Sequence, residues 1–287
     1  MIKTNKDSLP IIGVMGKTVP PQVWGQGGSI IDQNGVAHKM PAVGGIAYNV
    51  TLGDNCMKIR GDHFAPGVST RGADPDSESA WKLYACLGNK AVIIDGPLKG
   101  KEGMVFGNSG GCRLKSLIFD KETTDQMIGT ERFLVKAKGF GTEIEGFPNV
   151  QVGLIDPDLL EKMVEEKDGK LEVHVKRVIP ADMMGGGVGN DGITYGDYEI
   201  MTDDPELYKK YNLGELCFGD LVLLTGTDTT FYNTYIRTAV TFGVIVHGDS
   251  LSLGHGPGVM PIVCSKEEVI VPVMDENANI INYVKEA

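Results

Sequence analysis

Cysteine pairs are missing from this sequence. Its 287 residues include five cysteines, an odd number with no C-x-x-C spacing. Neither a disulfide framework nor a structural zinc site is therefore indicated. Thiols without partners are typical of a reducing compartment, so we expect a cytoplasmic protein with mostly buried, reduced cysteines.

Long hydrophobic runs are missing as well. The longest uninterrupted apolar stretches, such as residues 221–224, are far shorter than the roughly 18 residues that a membrane span requires. Near the start of the chain, two lysines precede a short apolar stretch, but Pro10 and Gly13 interrupt it. We predict a first strand there rather than a signal peptide, and no association with a membrane.

Positive charge is in deficit. The 27 lysines and arginines face 38 aspartates and glutamates, which gives a formal net charge of −11. A field of this sign repels nucleic acids and anionic membranes. We expect a small-molecule ligand or substrate as the partner, a homo-oligomer as the assembly, and no binding of nucleic acid.

Glycine, in contrast, is abundant, with 39 of the 287 residues, about twice its average share. Short apolar runs alternate with these glycines, which is the strand-and-turn pattern of an all-β protein. The runs predict strands near residues 11–15, 45–52, 83–87, 90–94, 103–106, 115–119, 132–137, 150–154, 172–179, 220–224, 240–246 and 269–273.

Helical signals are few. Asp156-Pro157 and Asp204-Pro205 each place an N-cap before an N1 proline, and a third short helix is predicted within residues 276–287. We predict a mainly β fold of several small barrels or sandwiches, including an SH3-like (KOW-like) barrel, with few short helices. The predicted divisions are an N-terminal β domain at 1–80, the SH3-like barrel at 81–138, and a C-terminal β domain at 139–287 packed on the first.

Two segments share an order of residues that favours a polar pocket. Residues 61–69 (GDHFAPGVS) and 247–261 (HGDSLSLGHGPGVMP) each contain Gly-Asp, a histidine and then Pro-Gly-Val. If these loops meet, their imidazoles and carboxylates would suit zinc, iron or manganese, with a position left open for water. The alternative is a pair of tight turns whose histidines bond to the backbone. The candidate metal ligands are Asp62, His63, His247, Asp249 and His255.

Residues 88–107 resemble the KOW element of SH3-like barrels, in which a basic glycine turn joins two strands. Between residues 88 and 115, five lysines and arginines face two acidic residues. RNA would contact such a patch through its phosphates. A plain hairpin with lysines at a solvated turn is the simpler interpretation.

A glycine-rich stretch follows later in the chain. Residues 187–192 spell G-x-G-x-x-G, but a strand-like segment follows instead of a helix, so a dinucleotide-binding fold is not indicated. We interpret residues 185–187 as part of a flexible or anion-cradling loop. Asp182 at its edge is a candidate general base.

Taken in order, several of these motifs resemble an uncharacterised prokaryotic family known as domain of unknown function 4438. They are GGIAYNV, GDHFAPGVS, GPLKGKEGMVFG, IPADMMGGGVG, GDYEIMT and AVTFGVIVHGD with GHGPGV. The resemblance covers nearly the whole chain and implies a mainly β fold with an SH3-like barrel, and no established activity. HGDSLSLGHGPGV is also similar to a late glycine-rich segment of the metal-dependent acetamidase/formamidase family, an analogy of site that implies hydrolysis.

The resulting hypothesis is a metal-dependent hydrolase of a small polar amide or ester. The three loop histidines and one of the two loop aspartates would hold the ion, bound water would be the nucleophile, and Asp182 would be the base. Two alternatives stay open. One is a non-catalytic binding protein whose SH3-like barrel contacts RNA or a protein partner, and the other is a small-molecule binder that uses the loop at 185–189.

Overall fold

The computed structural model describes residues 1–24, 27–109, 114–185, 192–194, 196–231 and 233–284. Strands dominate these ranges, and the α-helices are short. The strands are β1 Ile12–Thr18, β2 Ser29–Ile31, β3 Ala37–Lys39, β4 Ile46–Ala47, β5 Gly67–Gly72, β6 Lys90–Ile93, β7 Glu102–Ser109, β8 Leu114–Ile118, β9 Arg132–Ala137, β10 Val150–Val152, β11 Val164–Lys167, β12 Lys170–Val175, β13 Arg177–Pro180, β14 Tyr198–Glu199, β15 Leu221–Asp228, β16 Thr234–His247, β17 Gly258–Ser265 and β18 Ile270–Met274. The α-helices are α1 Glu78–Tyr84, α2 Lys121–Gln126, α3 Pro157–Met163, α4 Pro205–Lys210 and α5 Ile281–Val284. Single 3-10 turns lie at Lys6–Ser8, Cys56–Lys58, Ala181–Met183, Gly192–Thr194 and Leu213–Glu215.

Six strands form a closed antiparallel barrel. Their order is β1-β9-β6-β7-β8-β5, and β5 pairs back with β1 to complete the ring. Buried side chains from these strands make one hydrophobic core with Trp81 of α1, which has no exposed surface. The predicted mainly β fold with a barrel and few short helices is confirmed.

The barrel draws on both sides of residue 80. It includes the KOW-like hairpin as β6 and β7, within the segment predicted as a barrel. It also takes β1 and β5 from the segment predicted as a separate N-terminal domain. Closure with these two strands removes the open sheet edges that β8 and β9 would otherwise present. Residue 80 therefore does not separate two sheets.

The second large sheet is built around β17. Its order is β10-β17-β16-β15-β13, and the short strand β14 also pairs with β17. β17 is buried along its whole length although it contains Pro261. Pro261 pairs with Gly243, where the register with β16 shifts. A proline has no N–H for the ladder, so such an irregularity is where a sheet tolerates it.

Two smaller sheets complete the β structure of the described residues. β11 and β12 form an antiparallel hairpin, and β18 lies parallel to β12. β2 and β3 form a separate hairpin, while β4 extends the barrel sheet beside β5.

Strand β7 joins the barrel to the second sheet. The Asn108 backbone N–H donates to Met260 Sδ of β17 at 3.4 Å. A Cβ atom on Gly107 would overlap Val246 of β16, so the glycine allows the two layers to approach closely. This junction brings the loops that precede the barrel strands next to the end of β16.

The predicted helix starts are confirmed. The Asp156 carboxylate accepts the Asp158 N–H at 2.9 Å and caps α3. Asp204 caps α4 in the same way, and α5 lies within the predicted C-terminal segment.

The strand predicted at 83–87 is wrong, because this stretch contains the end of α1. The helix turns Trp81 into the barrel core, where it is fully buried. An apolar run this short does not distinguish a buried strand from the last turn of a helix.

None of the helices in the described part of the chain has the length and apolar character that crossing a bilayer requires. The four described cysteines are free thiols, and Cys112 lies outside the described residues.

Lys115 of β8 is a charged side chain in a buried position. It is 2% exposed, and its Nζ donates to Asn108 Oδ1 at 2.6 Å. Burial lowers the pKa of Lys115 from 10.5 to about 8, because the ammonium loses its hydration. The folded protein therefore releases this proton at a lower pH than the unfolded chain does.

We predict that this lysine makes stability rise with pH in an alkaline window. Between about pH 8 and pH 10.5 the unfolded chain holds the Lys115 proton and the folded protein does not, so folding is favoured as the pH rises. The free energy of unfolding of the wild type, minus that of Lys115→Met, should increase by about 3 kcal/mol from about pH 7 to pH 10.5.

Urea denaturation of both proteins across this range measures the difference, in which titrations shared by the two proteins cancel. Lys136→Met, at an exposed position of β9, is the matched control and should give a constant difference. A constant difference for Lys115→Met as well would contradict the buried ammonium.

Candidate metal centre

The two loops that share Gly-Asp, His and Pro-Gly-Val lie side by side. The Gly248 N–H donates to the Phe64 carbonyl at 3.0 Å, and the Gly61 N–H lies 3.4 Å from the Asp249 carbonyl that accepts it. The rings of His63 and His247 consequently lie with their centroids 4.7 Å apart. The loops thus meet in space, as the motif analysis required for a shared pocket.

His247 is the last residue of β16 and has no exposed surface. Its Nδ1 donates to the Gly248 carbonyl at 3.0 Å. This hydrogen bond leaves the lone pair on Nε2, which is the usual way that a second-shell carbonyl prepares a histidine to bind a metal. Nε2 lies 2.7 Å from Asp197 Oδ2 and 3.2 Å from Glu199 Oε1.

Asp197 and Glu199 come from the segment that forms β14, and both are fully buried. Side chains two residues apart on a strand point to the same face. Glu199 pairs with Gly258 of β17, and Gly258 pairs on its other side with His247 of β16. The three residues form one row across three strands, and the absent side chain of Gly258 lets its two neighbours meet.

His63 reaches the same acids from the loop before β5. Its backbone φ is 54°, a left-handed conformation that costs a residue with a Cβ about 1 kcal/mol. Its Nε2 lies 3.1 Å from Glu199 Oε1, and the imidazole is 5% exposed. Backbone strain that places a buried polar side chain is typical of a functional site.

Two imidazoles and two carboxylates lie close together here, and several of their polar atoms make no hydrogen bond that would account for this proximity. His63, Asp197, Glu199 and His247 each offer a ligand atom within 4.8 Å of the others. Within the described ranges, both Asp197 oxygens, Glu199 Oε1 and His247 Nε2 have no hydrogen-bond partner although they are buried. Ligands about 2.1 Å from a cation lie about 3.0 Å apart at right angles and about 3.4 Å apart in a tetrahedron. The separations of 3.1 and 3.2 Å lie between these two values, and the separation of 2.7 Å is shorter than both.

Without a cation, the charges of this group are balanced by protons. Burial alone would lower the pKa of His247, but attraction to Glu199 and Asp197 outweighs it and raises the pKa well above its usual value. Burial likewise lowers the pKa of His63, and contacts with the Asp62 and Glu199 carboxylates raise it to about 9. Burial would raise the pKa of Glu199, and the two imidazoles hold it far below its usual value. Glu199 is therefore ionised beside these imidazoles.

A second group lies on the other side of His63. Asp62, His63 and His255 offer ligand atoms within 4.8 Å of one another. His63 Nδ1 lies 3.2 Å from Asp62 Oδ1, and the rings of His63 and His255 have centroids 5.5 Å apart. His255 is partly exposed, unlike the other members.

The run His-Gly-Pro-Gly at 255–258 has a structural explanation. The Gly256 N–H donates to Glu199 Oε2 at 3.1 Å and so orients this carboxylate. A Cβ on Gly258 would overlap the His247 ring and lie 2.7 Å from Asp197 Oδ2. Gly258 is therefore required by the positions of His247 and Asp197, and Gly256 by the Ile200 carbonyl oxygen, which a Cβ would overlap.

Two predicted site residues lie elsewhere. Asp249 accepts a hydrogen bond from Thr202 Oγ1 at 2.8 Å and belongs to neither group found among the described residues. Asp182 is exposed on a 3-10 turn and lines a separate cavity of about 520 Å³. Most of the glycine-rich loop, residues 186–191, lies outside the described residues.

Asp197 and Glu199 are candidate ligands that the sequence motifs did not indicate. The signal was present as Asp-x-Glu in GDYEI, since alternate positions of a strand share a face. β14 has only two residues, which is too short for a periodic pattern to identify it.

Comparisons with known proteins cover almost the whole chain. The family model described as domain of unknown function (DUF4438), N-terminal, matches residues 29–161, and its C-terminal counterpart matches residues 161–284. A solved structure described as the crystal structure of TM1086 is 36% identical to this chain, with a TM-score of 0.90. The match covers 98% of this chain and 99% of that one. No curated protein matches.

Because Glu199, Gly258 and His247 form one row across three strands, a methyl group added at Gly258 is predicted to destabilise the protein. Gly258→Ala should displace the His247 ring and lower the free energy of unfolding by about 1–3 kcal/mol, as overpacked cores do. Urea denaturation measures this loss. Gly13→Ala is the matched control, because Gly13 also lies in a strand and a Cβ there meets only Leu134 at 3.9 Å. Equal stability of the two variants would contradict the described packing.

Proposed function

The chain belongs to the family described as domain of unknown function 4438, as its ordered motifs indicated, and we propose that it is a metal-dependent hydrolase of a small polar amide or ester. The family description carries no activity, so the proposal rests on the buried group of His63, Asp197, Glu199 and His247. The observation that carries it is a set of buried ligand atoms that face one another without hydrogen bonds.

The chemistry of the donors agrees with a divalent cation. Two imidazole nitrogens and two carboxylate oxygens are borderline donors that suit zinc, iron or manganese. Two carboxylates also balance the charge of such an ion, which removes the penalty of ionised acids in a space without water. A bound cation would supply Lewis-acid polarisation of a carbonyl group and activation of water.

The side of the site near His255 is where a substrate would approach. The four inner ligands are buried, whereas His255 is partly exposed. Trp24 contacts the His63 ring edge to face, with centroids 5.4 Å apart. An indole beside a charged centre would favour a small molecule that combines an apolar surface with one polar reactive group.

The alternative of an RNA-binding or protein-binding barrel has less support. Lys115, one of the five basic residues counted for that patch, is buried. Lys90 is paired with Glu102 at 2.8 Å, and Arg113 lies outside the described residues. Of the described basic residues of this patch, Lys115 is therefore buried and Lys90 is paired with an acid.

Metal content tests the proposal directly. Untagged protein purified without chelator should contain at least one divalent ion per chain by elemental analysis. His247→Gln should weaken Zn²⁺ binding to the stripped protein by more than about tenfold, since even changes behind the ligands cost about 10- to 100-fold. His174→Gln is the matched control, because His174 is half-exposed and its Nδ1 also lies near an acid, 3.5 Å from Asp275.

Activity forms the second part of the test. A panel of small amides and esters should include a substrate that the metal-loaded wild type hydrolyses and that His247→Gln and chelated protein do not. Circular dichroism confirms that the variants fold. Absence of metal from the wild type, with His247→Gln equally folded and equally stable, would overturn the hydrolase and favour the binding protein.

A further inference from the structure

The two ring nitrogens of His63 face different sets of ligand atoms. Nε2 lies 3.1 Å from Glu199 in the inner group. Nδ1 lies 3.2 Å from Asp62 in the outer group, which His255 completes. The inner group is His63, Asp197, Glu199 and His247, and the outer group is Asp62, His63 and His255.

His63 Nδ1 is buried and has no hydrogen-bond partner among the described residues. The Asp62 carboxylate is close to it but is not aligned to accept a hydrogen bond. An unpaired nitrogen on a ring that is 5% exposed costs about 1–3 kcal/mol unless something binds it. Within the described ranges, its polar contact is the ion pair with Asp62 rather than a hydrogen bond, and a cation beside both atoms would serve as a binding partner for each.

Asp62 is held in position to act as a ligand of that partner. Its Oδ1 accepts a hydrogen bond from Ser250 Oγ at 2.9 Å, and its Oδ2 lies 3.4 Å from Ser252 Oγ. Both hydroxyls belong to the segment at residues 247–261. They fix the orientation of the Asp62 carboxylate, as outer-shell donors do for acids that bind metal ions. Each oxygen keeps a further lone pair for a cation.

His255 can provide the third ligand. Its Nδ1 donates to the Leu253 carbonyl at 3.0 Å, so the lone pair is on Nε2. His247 has the same arrangement with the Gly248 carbonyl. Both histidines therefore carry the hydrogen on Nδ1 and the lone pair on Nε2. His247 belongs to the inner group and His255 to the outer group.

From these contacts we propose that the protein binds two divalent cations that share the imidazole of His63, one in the inner group and one in the outer group. The inference rests on the proposed function for its inner ion. On binding both ions, the imidazole of His63 would release the protons of both ring nitrogens to solvent, so that each nitrogen offers a lone pair to one ion. With four buried protein ligands, the inner ion would be the more firmly held of the two. With three ligands and a partly exposed His255, the outer ion keeps positions for water and substrate, as catalytic sites do.

The stoichiometry of Zn²⁺ tests the second site. Chelator-stripped wild type, reloaded with Zn²⁺ and freed of unbound ion, should contain two ions per chain by elemental analysis. The double variant Asp62→Asn, His255→Gln should contain one, and His255→Gln alone, at a partly exposed position, should weaken the second ion by more than about tenfold. The matched control is Asp32→Asn, His38→Gln, since this part-exposed pair has its own contact of 2.8 Å on the β2–β3 hairpin.

Electron paramagnetic resonance tests the shared imidazole. Wild type loaded with two Cu²⁺ ions should show much less mononuclear signal than the metal content predicts, because ions joined by one imidazole are magnetically coupled. The outer-site double variant with one Cu²⁺ should show the full mononuclear signal. Full signal from doubly loaded wild type would show that His63 does not bridge the ions.

The outcomes separate this inference from the proposed function. One ion in the wild type, retained by the outer-site variant and lost by His247→Gln, overturns the second site and leaves the inner ion intact. Two ions in both the wild type and the outer-site variant place the second ion elsewhere and also overturn the inference. No ion in folded wild type overturns both proposals.

Discussion

Charge balance in a space closed to water is the constraint on which the centre of this protein depends. Asp197, Glu199 and His247 have no exposed surface, and His247 Nε2 lies 2.7 Å and 3.2 Å from the two acids. Ionised carboxylates without hydration are stable only beside compensating charge. Protons on the imidazoles supply that charge but leave several buried atoms without hydrogen bonds. A divalent cation would supply the charge and would also give those atoms a partner.

The scaffold is arranged around this cluster of charges. Glu199, Gly258 and His247 occupy one row across β14, β17 and β16, so the missing side chain of Gly258 makes the space in which the acids and the imidazole meet. Gly107 brings the barrel against Val246, immediately before His247. The two glycines thus make the space in which the polar side chains approach one another. The left-handed backbone of His63 likewise places its imidazole beside the acids.

The site has a closed side and an open side, with His63 between them. The inner acids and His247 are buried, whereas His255 is partly exposed. A metal-dependent hydrolase would require both a firmly held cation and access for a substrate. The imidazole of His63, with one nitrogen facing each group, would link the firmly held ion to the ion that the substrate reaches.

The amino-acid sequence by itself determined the class of the fold, because glycine-punctuated apolar runs and capped Asp-Pro helix starts are local patterns that local chemistry explains. It also indicated His63, His247, Asp62 and His255 as candidate ligands, because the two loops repeat the same order of residues. The barrel closure between β1 and β5 and the central strand β17, interrupted by Pro261, depend on pairing between distant segments, which no local pattern encodes. Asp197 and Glu199 could not be predicted for the same reason, because β14 has two residues and is defined by its pairing with the distant strand β17. Tertiary structure alone placed these acids beside His247 and left Asp249 and Asp182 outside the group, because burial and register, rather than residue type, decide which charges share one space.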